Sequence, residues 1–600
     1  MMKTSKRMSN QEIASLLKGM AAAYQIKGNQ QFRVKAYEEA AVSVEHATST
    51  LKDLWDDGKL ESLPGVGKAM AFHLDELFRT GKVKHFQKIM GQFPPAMFEF
   101  LQIPGVGAKT AYKLAKKLKI TKAETALNQL KKAAESGRIR KIEGFGEESE
   151  RAILEGLGEV GKRGKGGERM VLPFAGRLAK EIIGYMKQCS AIERIDPLGS
   201  LRRRMTTVGD IDFGVATKKS AEAIKHFCQY PKTKEVVASG GNTARIMTKD
   251  KRQIDLKTQS PESYGALLQH YTGSKQHNIH LREIAQKKGW SLSEYGIKME
   301  KKGVKKYRTE AEFYQELGME WIPPELREDV GEIEVAQGKQ LPKLVELREI
   351  KGDLHIHSNY PIEPSHDLGM ASIKEIVEKA KKMGYEYIGL SEHNPSVSQH
   401  SEKQIINLLK KKKEVIEQFN SSNKKLVQSV RLLNGLEIDI KPDGDLAVPE
   451  KGLEHLDFAI ASIHSSFRQS RDEATKRVLR ALRHPKACIL GHPTGRLLNR
   501  REGMEFDWEE IFAFCQKKNK ILEISAWPTR LDLPDYLVRE AVKRGVKMVI
   551  DSDAHALEEM EMMEYGVSVA RRGWAEKEDI INTLPYDKIM KEVKGGEKRK

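Results

Sequence analysis

The chain has 600 residues, with 103 Lys and Arg against 84 Asp and Glu and a formal charge of +19. That length leaves room for roughly four domains, and the cationic excess suits a polyanionic partner. No stretch reaches the roughly 18 unbroken apolar residues of a membrane span, and the opening Met-Met-Lys-Thr-Ser-Lys-Arg lacks an apolar signal region, so a cytoplasmic, membrane-free protein is expected. Cys189, Cys228, Cys488 and Cys515 lie far apart, with no Cys-x-x-Cys pair, and read as reduced structural thiols.

From Gln11 to Gln92 the apolar spacing is helical: Ile13, Leu16, Leu17 and Met20, then Phe32, Ala36 and Tyr37. Leu63-Pro64-Gly65-Val66-Gly67-Lys68 follows, returns forty residues later as Ile103-Pro104-Gly105-Val106-Gly107-Ala108, and fades into Ile142-Glu143-Gly144-Phe145-Gly146. Glycines before a helix let backbone N–H groups face outward, where the helix dipole favours an anion. The result is a phosphate clamp blind to base sequence. The repeats resemble helix-hairpin-helix motifs, which implies contact of Gly65, Gly67, Gly105 and Gly107 with the DNA backbone. Lys113, Lys116, Lys117 and Lys119 add charge beside the second copy.

Gly161–Gly167 is a basic, glycine-rich linker. Beyond it stands Gly199-Ser200-Leu201-Arg202-Arg203, then Val208-Gly209-Asp210-Ile211-Asp212-Phe213. Acids at i and i+2 of a strand share a face, while Val208, Ile211 and Phe213 suit the buried one. Asp255 lies in a second strand-like run, Arg252–Leu256. If those strands are neighbours, three carboxylates converge and need cations. A pair of divalent ions would satisfy them and supply what phosphoryl transfer requires. Gly-Ser beside paired arginines is an anion site, with forked guanidiniums for phosphate oxygens.

These residues resemble the palm of the nucleotidyltransferase superfamily, and within it the family X DNA polymerases such as DNA polymerase beta. The resemblance implies that Asp210, Asp212 and Asp255 are catalytic and hold Mg²⁺ or Mn²⁺, and that Ser200, Arg203 and Gly209 bind the incoming nucleotide. Arg204 stands where the family usually has glycine. The same resemblance places a nucleophilic lysine at the position of His73. An imidazole cannot form the imine of a 5′-deoxyribose phosphate lyase, so that activity is expected to be absent or weak.

His270-Tyr271-Thr272-Gly273-Ser274 and Asn278-Ile279-His280-Leu281-Arg282 resemble the thumb entrance of the same family. This implies Tyr271 and Gly273 against the nucleotide sugar, Asn278 at the base pair and Arg282 on DNA. Trp290 and Tyr295 are expected in thumb packing.

After Leu341-Pro342 strand-like runs alternate with amphipathic helices, as in a βα barrel. Metal-type side chains stand after nearly every strand: His355 and His357, His393, Glu437, His464, His492, then Asp553 and His555. Catalytic groups of such barrels belong at those ends, and mixed imidazole and carboxylate ligands suit Zn²⁺ or Mn²⁺. The set resembles the PHP (polymerase and histidinol phosphatase) domain, a metal phosphoesterase associated in family X polymerases with 3′–5′ exonuclease activity. It implies two or three Mn²⁺ or Zn²⁺ ions. The family's ligand shortly after His-x-His is displaced here by Asn359–Pro364, leaving Asp367, His366 or Glu363, with Asp367 preferred. Arg468, Arg471 and Arg496 are candidates for holding DNA phosphate.

The expected fold class is multidomain: an all-α helix-hairpin-helix N-terminal region, an α+β nucleotidyltransferase palm with thumb, and a C-terminal βα barrel of PHP type. The expected divisions are 1–92 and 93–160 (helical, each with a hairpin motif), 168–260 (palm), 261–335 (thumb), 341–575 (PHP) and a basic tail, 576–600. The expected activity is filling of short gaps in DNA repair, with 3′-end processing by the PHP domain. Its partners are gapped or nicked DNA and dNTPs, and the chain is expected to act as a monomer. The alternatives are a PHP phosphoesterase or abasic-site nuclease using the palm as a DNA scaffold, and a non-enzymatic DNA-binding adaptor.

Overall fold

The structure, a computed structural model, describes residues 8 and 10–593 except 29, 46–50, 52–54, 56–59, 63–65, 104, 164–168, 251, 300–302, 424–425 and 427. It divides into two compact units: Met1–Met170, Phe174–Pro197 and Val208–Pro261 form one, and Val171–Pro173, Leu198–Thr207 and Glu262–Lys600 the other. No described helix is long and apolar enough to cross a membrane.

The first unit begins with helices. Ile13, Leu17 and Met20 of helix Asn10–Lys27 are buried against Tyr37, Met70, Leu74 and Leu77, as their spacing predicts. Phe32 does not follow that pattern: it is 88% exposed, because it lies at the start of helix Gln31–Glu45, before the buried Tyr37 and Ala40. A second cluster packs Phe100, Ala111, Leu114, Leu130 and Ala133.

Five strands complete this unit, in the order Arg194–Pro197, Ile211–Ala216, Gln253–Gln259, Thr243–Thr248, Thr233–Gly240. Ile211–Ala216 and Gln253–Gln259 run parallel, and the other pairs antiparallel. The run expected from Val208 is broken. Thr207–Val208 is one short strand, Gly209-Asp210 bends, and Ile211–Ala216 begins afresh. That bend resolves a conflict of parity: Val208, two residues before Asp210, is buried while Asp210 is exposed.

In the second unit, helix Tyr264–Thr272 meets Lys275–Lys287 at Gly273, whose φ of +70° suits glycine. Ser274 caps the second helix by accepting from the His277 N–H. A hairpin sheet, Trp290–Ser293, Gly296–Met299 and Gly303–Lys305, follows. Trp290 packs on its core, but Tyr295 lies in the hairpin turn and is 52% exposed. Buried Glu310 accepts from Arg202 (2.8 and 2.6 Å) and Arg327 (2.6 Å), so the Gly199–Arg202 helix is pinned to this layer.

The rest is a barrel. Gly352–Ile356, Tyr387–Leu390 and Arg431–Asn434 form one parallel sheet. Glu437–Asp439, Ala459–Ser462, Ala487–Leu490, Ile521–Ser525 and Met548–Asp551 form another. Parallel bridges His393↔Glu437 and Ile356↔Ala554 join the sheets at both seams. The expected basic tail from 576 is corrected: Ile581, Ile589 and Val593 are buried with Leu354, Tyr387 and Val549. Helix Tyr586–Val593 therefore belongs to the barrel, its Ile and Val paired at helical spacing. Residues 594–600 lie outside the described residues.

Candidate functional site

The acids of the five-stranded sheet converge because Asp212 and Asp255 are register partners on parallel strands. Burial first, then the charges of Asp255 and Asp210, push the Asp212 carboxyl up to about 6. Arg245, opposite Asp255 on the next strand, donates Nε to its Oδ1 at 2.7 Å, and Gln253 donates to Oδ2 at 2.7 Å. A cationic guanidinium thus already answers part of the charge of this acid cluster.

Arg203 donates Nε to Glu328 Oε1 at 2.9 Å and Nη1 to the Thr272 carbonyl at 2.6 Å. Ser200 lies one residue into the Gly199–Arg202 helix, and Gly209 is in the bend before Asp210. Tyr271 lies in helix Tyr264–Thr272, two residues before Gly273. Asn278 donates to the His270 carbonyl at 2.7 Å and accepts from Gln269 at 2.7 Å, so its amide is braced on that helix. Arg282 is exposed on the following helix.

Gly67 and Gly107 are N-caps of helices Lys68–Thr80 and Ala108–Lys117, with near-identical backbones (φ −76°, ψ 176° and φ −79°, ψ 172°) and no side-chain cap. The space over both glycines and over Gly105 is open. Uncapped first-turn N–H groups at two matching helix starts suit phosphate oxygens. Gly65 lies outside the described residues. The third copy differs, for helix Glu147–Arg163 opens with Glu147, Glu148 and Glu150, which repel an anion. Glu150 instead accepts from the Ile139 and Arg140 N–H groups. His73 stacks on His85 at 4.9 Å, and burial holds it below its ordinary pKa, so it is a neutral ring without an amine.

In the barrel the histidines and acids gather at the strand ends. Glu437 is central. Its Oε2 lies 3.4 Å from His355 Nε2 and 3.7 Å from His357 Nε2, while Asp553 Oδ1 lies 3.5 and 3.3 Å from the same nitrogens. Its Oε1 lies 3.3 Å from His464 Nε2 and 2.9 Å from His492 Nε2. Four ligands bound tetrahedrally at about 2.0–2.1 Å stand about 3.3 Å apart, close to the spacings of the first set. His355 Nε2, both ring nitrogens of His357 and Glu437 Oε2 are buried without a hydrogen-bond partner. Buried polar atoms are rarely left so, and a shared cation accounts for them.

A third set lies beside these. His393 and His555 bracket Asp367, at 3.4 Å from Oδ1 and 3.5 Å from Oδ2. His366 stands near His393 and His464, but its Nε2 is 3.0 Å from Asp439. Glu363 is outside the cluster, mostly exposed and accepting from His400 at 2.8 Å. Among the described residues, the groups whose ligand atoms all lie within 4.8 Å of one another belong to this barrel.

Charge at the centre is finely divided. Burial opposes protonation of His355, but Glu523, Asp553 and Glu437 overcome it and hold its pKa well above the ordinary value. For His393 burial is likewise outweighed, by Glu437 and Asp367, to about 9. His492 is pushed down to about 3 by burial and then by Arg530. His492 (φ +28°) and Asp553 (φ +56°) hold left-handed backbones costly for non-glycine residues. Asp553 therefore reaches the site from a kinked loop and not, as a shared strand face requires, from an extended strand, which ends at Asp551.

Three residues were not singled out from the sequence. Glu523 accepts from His355 Nδ1 (2.6 Å) and from the His492 N–H, and Asp439 accepts from His464 Nδ1 (2.7 Å). Each fixes the tautomer that leaves Nε2 as a ligand. A Glu inside the wholly buried strand Ile521–Ser525 was the available signal. Arg530 lies 3.7 Å from Asp553, with a buried Nη1 lacking a partner. Of the arginines considered for phosphate, Arg496 is committed to the carbonyls of Arg530 and Leu531, and Arg471 to Asp507. Arg468 is exposed.

The chain matches the family models described as helix-hairpin-helix domain (residues 8–83), SAM-like helix-hairpin-helix tandem (98–159), DNA polymerase beta thumb (267–328) and PHP domain (353–526). It is 35% identical over 578 residues, 96% of this chain and 97% of the relative, to the DNA polymerase/3′-5′ exonuclease PolX of Bacillus subtilis (strain 168). It is also 26% identical over 260 residues, 41% of this chain and 97% of the relative, to a probable phosphatase of Thermoanaerobacter sp. (strain X514). A probable phosphatase of Clostridium acetobutylicum is 27% identical over 214 residues, 34% of this chain and 78% of that protein.

Proposed function

We propose, from the premise that this chain belongs to the family X DNA polymerases that carry a PHP domain, that it fills short gaps in DNA and trims 3′ ends at a separate centre. The observation that carries the first activity is the register pairing of Asp212 with Asp255, with Asp210 acting on the same carboxyl. These residues would hold Mg²⁺ or Mn²⁺, and Arg245 balances part of the charge of Asp255. Arg203 and Ser200 orient the triphosphate, the Tyr271–Gly273 segment and Gly209 position the nucleotide, Asn278 faces the base pair, and Arg282 together with the Gly65, Gly67, Gly105 and Gly107 turns grips DNA.

In the barrel, His355, His357, Glu437 and Asp553 form one ligand set, Glu437, His464 and His492 a second, and Asp367, His393 and His555 a third, with His366 as a flanking group. Imidazole-rich sets favour Mn²⁺ or Zn²⁺. Bound ions would supply Lewis acidity and an activated water at neutral pH. Arg530 is set to hold the phosphodiester beside Asp553, as its unpartnered Nη1 suggests. Glu523 and Asp439 keep His355 and His464 in the ligating tautomer. DNA grip falls to residues 1–160, synthesis to 168–335 and 3′ processing to the barrel, from 341 to 593.

Gap extension and 3′ digestion by Asp210→Ala and His355→Ala variants test this. The first should lose synthesis only and the second digestion only. Synthesis surviving Asp210→Ala removes the polymerase assignment and leaves the barrel nuclease.

A further inference from the structure

The second unit contains a charge quartet, built around the buried Arg572 with its three partners partly exposed, that joins the barrel to the segment bearing Arg203. Arg572, the last residue of barrel helix Met563–Arg572, has a side chain only 5% exposed. It donates Nη1 to the Arg203 carbonyl at 2.8 Å and to Glu328 Oε1 at 3.0 Å. Its Nε reaches Asp535 Oδ2 at 2.7 Å, at the start of helix Asp535–Lys543. Glu328 Oε1 is the same oxygen that accepts from Arg203 Nε at 2.9 Å. Arg571, its chain neighbour, donates Nε to Glu325 Oε1 at 2.8 Å, so two consecutive barrel arginines hold the Glu325–Glu328 turn.

The charges decide what this arrangement does. Two guanidiniums face two carboxylates, Glu328 and Asp535, and the quartet is neutral. Without Arg572, Asp535 would lose its partner and Glu328 would bind Arg203 undivided. Removing the one buried member of this ion cluster leaves the others uncompensated, an effect reduced by solvent at Glu328 and Asp535 but still felt at Arg203. A nucleotide-binding arginine neutralised by its own neighbour attracts a triphosphate less.

We propose that Arg572 is a positioning residue for nucleotide binding: it anchors the Arg203 carbonyl and shares the Glu328 carboxylate, so that the Arg203 guanidinium stays available to the triphosphate. The PHP barrel is then a structural part of the polymerase's nucleotide site as well as a second active centre. The inference rests on the reading that Arg203 contacts the nucleotide.

The test is steady-state gap filling by the full chain over a range of dNTP concentrations, with 3′ digestion measured on the same preparations. Arg572→Ala should raise the dNTP KM about tenfold with kcat within about twofold, because it removes ground-state binding held through Arg203. Digestion should be unchanged. Glu328→Gln added to Arg572→Ala should recover about threefold of that KM, since it removes the uncompensated acid. Arg572→Lys, which keeps the charge but gathers its donors on one nitrogen and cannot span acceptors now reached from Nη1 and Nε, should raise KM about threefold and provides the measurement if the alanine variant does not fold. A KM within twofold of wild type in both single variants overturns the proposal. So does a double variant no better than Arg572→Ala, or a rise in KM matched by loss of digestion. Arg203→Ala separates the two levels: if it leaves KM unchanged, the reading of Arg203 fails, whereas a rise with no response at Arg572 sinks only the inference.

Discussion

Asp212 and Asp255 stand opposite one another, in register, on adjacent parallel strands. Their mutual repulsion, added to burial, raises the Asp212 carboxyl to about 6. A raised acid opposes folding when ionised: the penalty is absent below its ordinary value of 3.8 and full above about 6. Asp212→Asn should therefore stabilise the metal-free protein at pH 7.5 by about 2 kcal/mol, allowing for partial exposure, while abolishing synthesis. Thermal melting in chelator compares the two proteins, and a lower melting temperature for the variant contradicts the strain.

Glu437 offers one oxygen to each of two ligand sets. Glu437→Gln should lower the bound metal by about two ions per chain and remove 3′ digestion, with gap extension preserved. Elemental analysis after dialysis reads the stoichiometry; full metal content would show that Glu437 is not shared.

Glu523 touches no candidate ion directly, yet fixes His355 by its ring and His492 by its backbone. Glu523→Gln should weaken metal binding about 10–100-fold, the usual effect of losing an outer-shell carboxylate. Digestion assayed against increasing Mn²⁺ should then need more metal to reach its plateau. An unchanged midpoint would argue for a packing role alone.

Glu310 is buried between Arg202 and Arg327, and their charges hold its carboxyl, against burial, at about 2. Its folded pKa is depressed, so its stabilisation is complete above its ordinary 4.5 and is lost as pH falls through about 2. Glu310→Gln should cost about 3–5 kcal/mol at neutral pH, because Arg327 is left buried and unpaired. The gap from wild type should narrow below about pH 4. Denaturant melts across that range check it, and a gap independent of pH would contradict the assignment.

Gly107 has an ordinary φ of −79° and open space above it, so a side chain there is not strained. Gly107→Val should leave stability nearly unchanged and weaken binding to gapped DNA several-fold by obstructing a phosphate, since the contact is to the backbone. Equilibrium binding at fixed salt reads this, and equal affinity would remove the second hairpin from the DNA interface.

Much of the architecture was legible because the barrel strands are apolar runs ending in ligand-type residues. Tyr387–Leu390 and Ala487–Leu490 are such runs, buried throughout. The edge strand Thr233–Gly240 was not visible, since all but its first residue are exposed and no apolar alternation marks it. Spacing also could not decide between His366 and Asp367. Adjacent residues in a loop point in unrelated directions, and only the fold puts Asp367 between His393 and His555. Glu523 and Arg572 were hidden for a further reason: their partners are distant in the chain, and a charge in an amphipathic or buried segment announces no partner. The tail from 576 was misjudged because its lysines mask the helical spacing of Ile589 and Val593.

The most direct measurement follows one labelled primer with a mispaired 3′ end beside a short gap, with dNTPs and Mn²⁺ present. Wild type should shorten the primer and then extend it to full length, Asp255→Ala should accumulate the shortened primer, and His357→Ala should leave the mispaired end untrimmed. Shortening that persists in His357→Ala, or full-length product from Asp255→Ala, would contradict two separate metal centres acting on nucleic-acid phosphate.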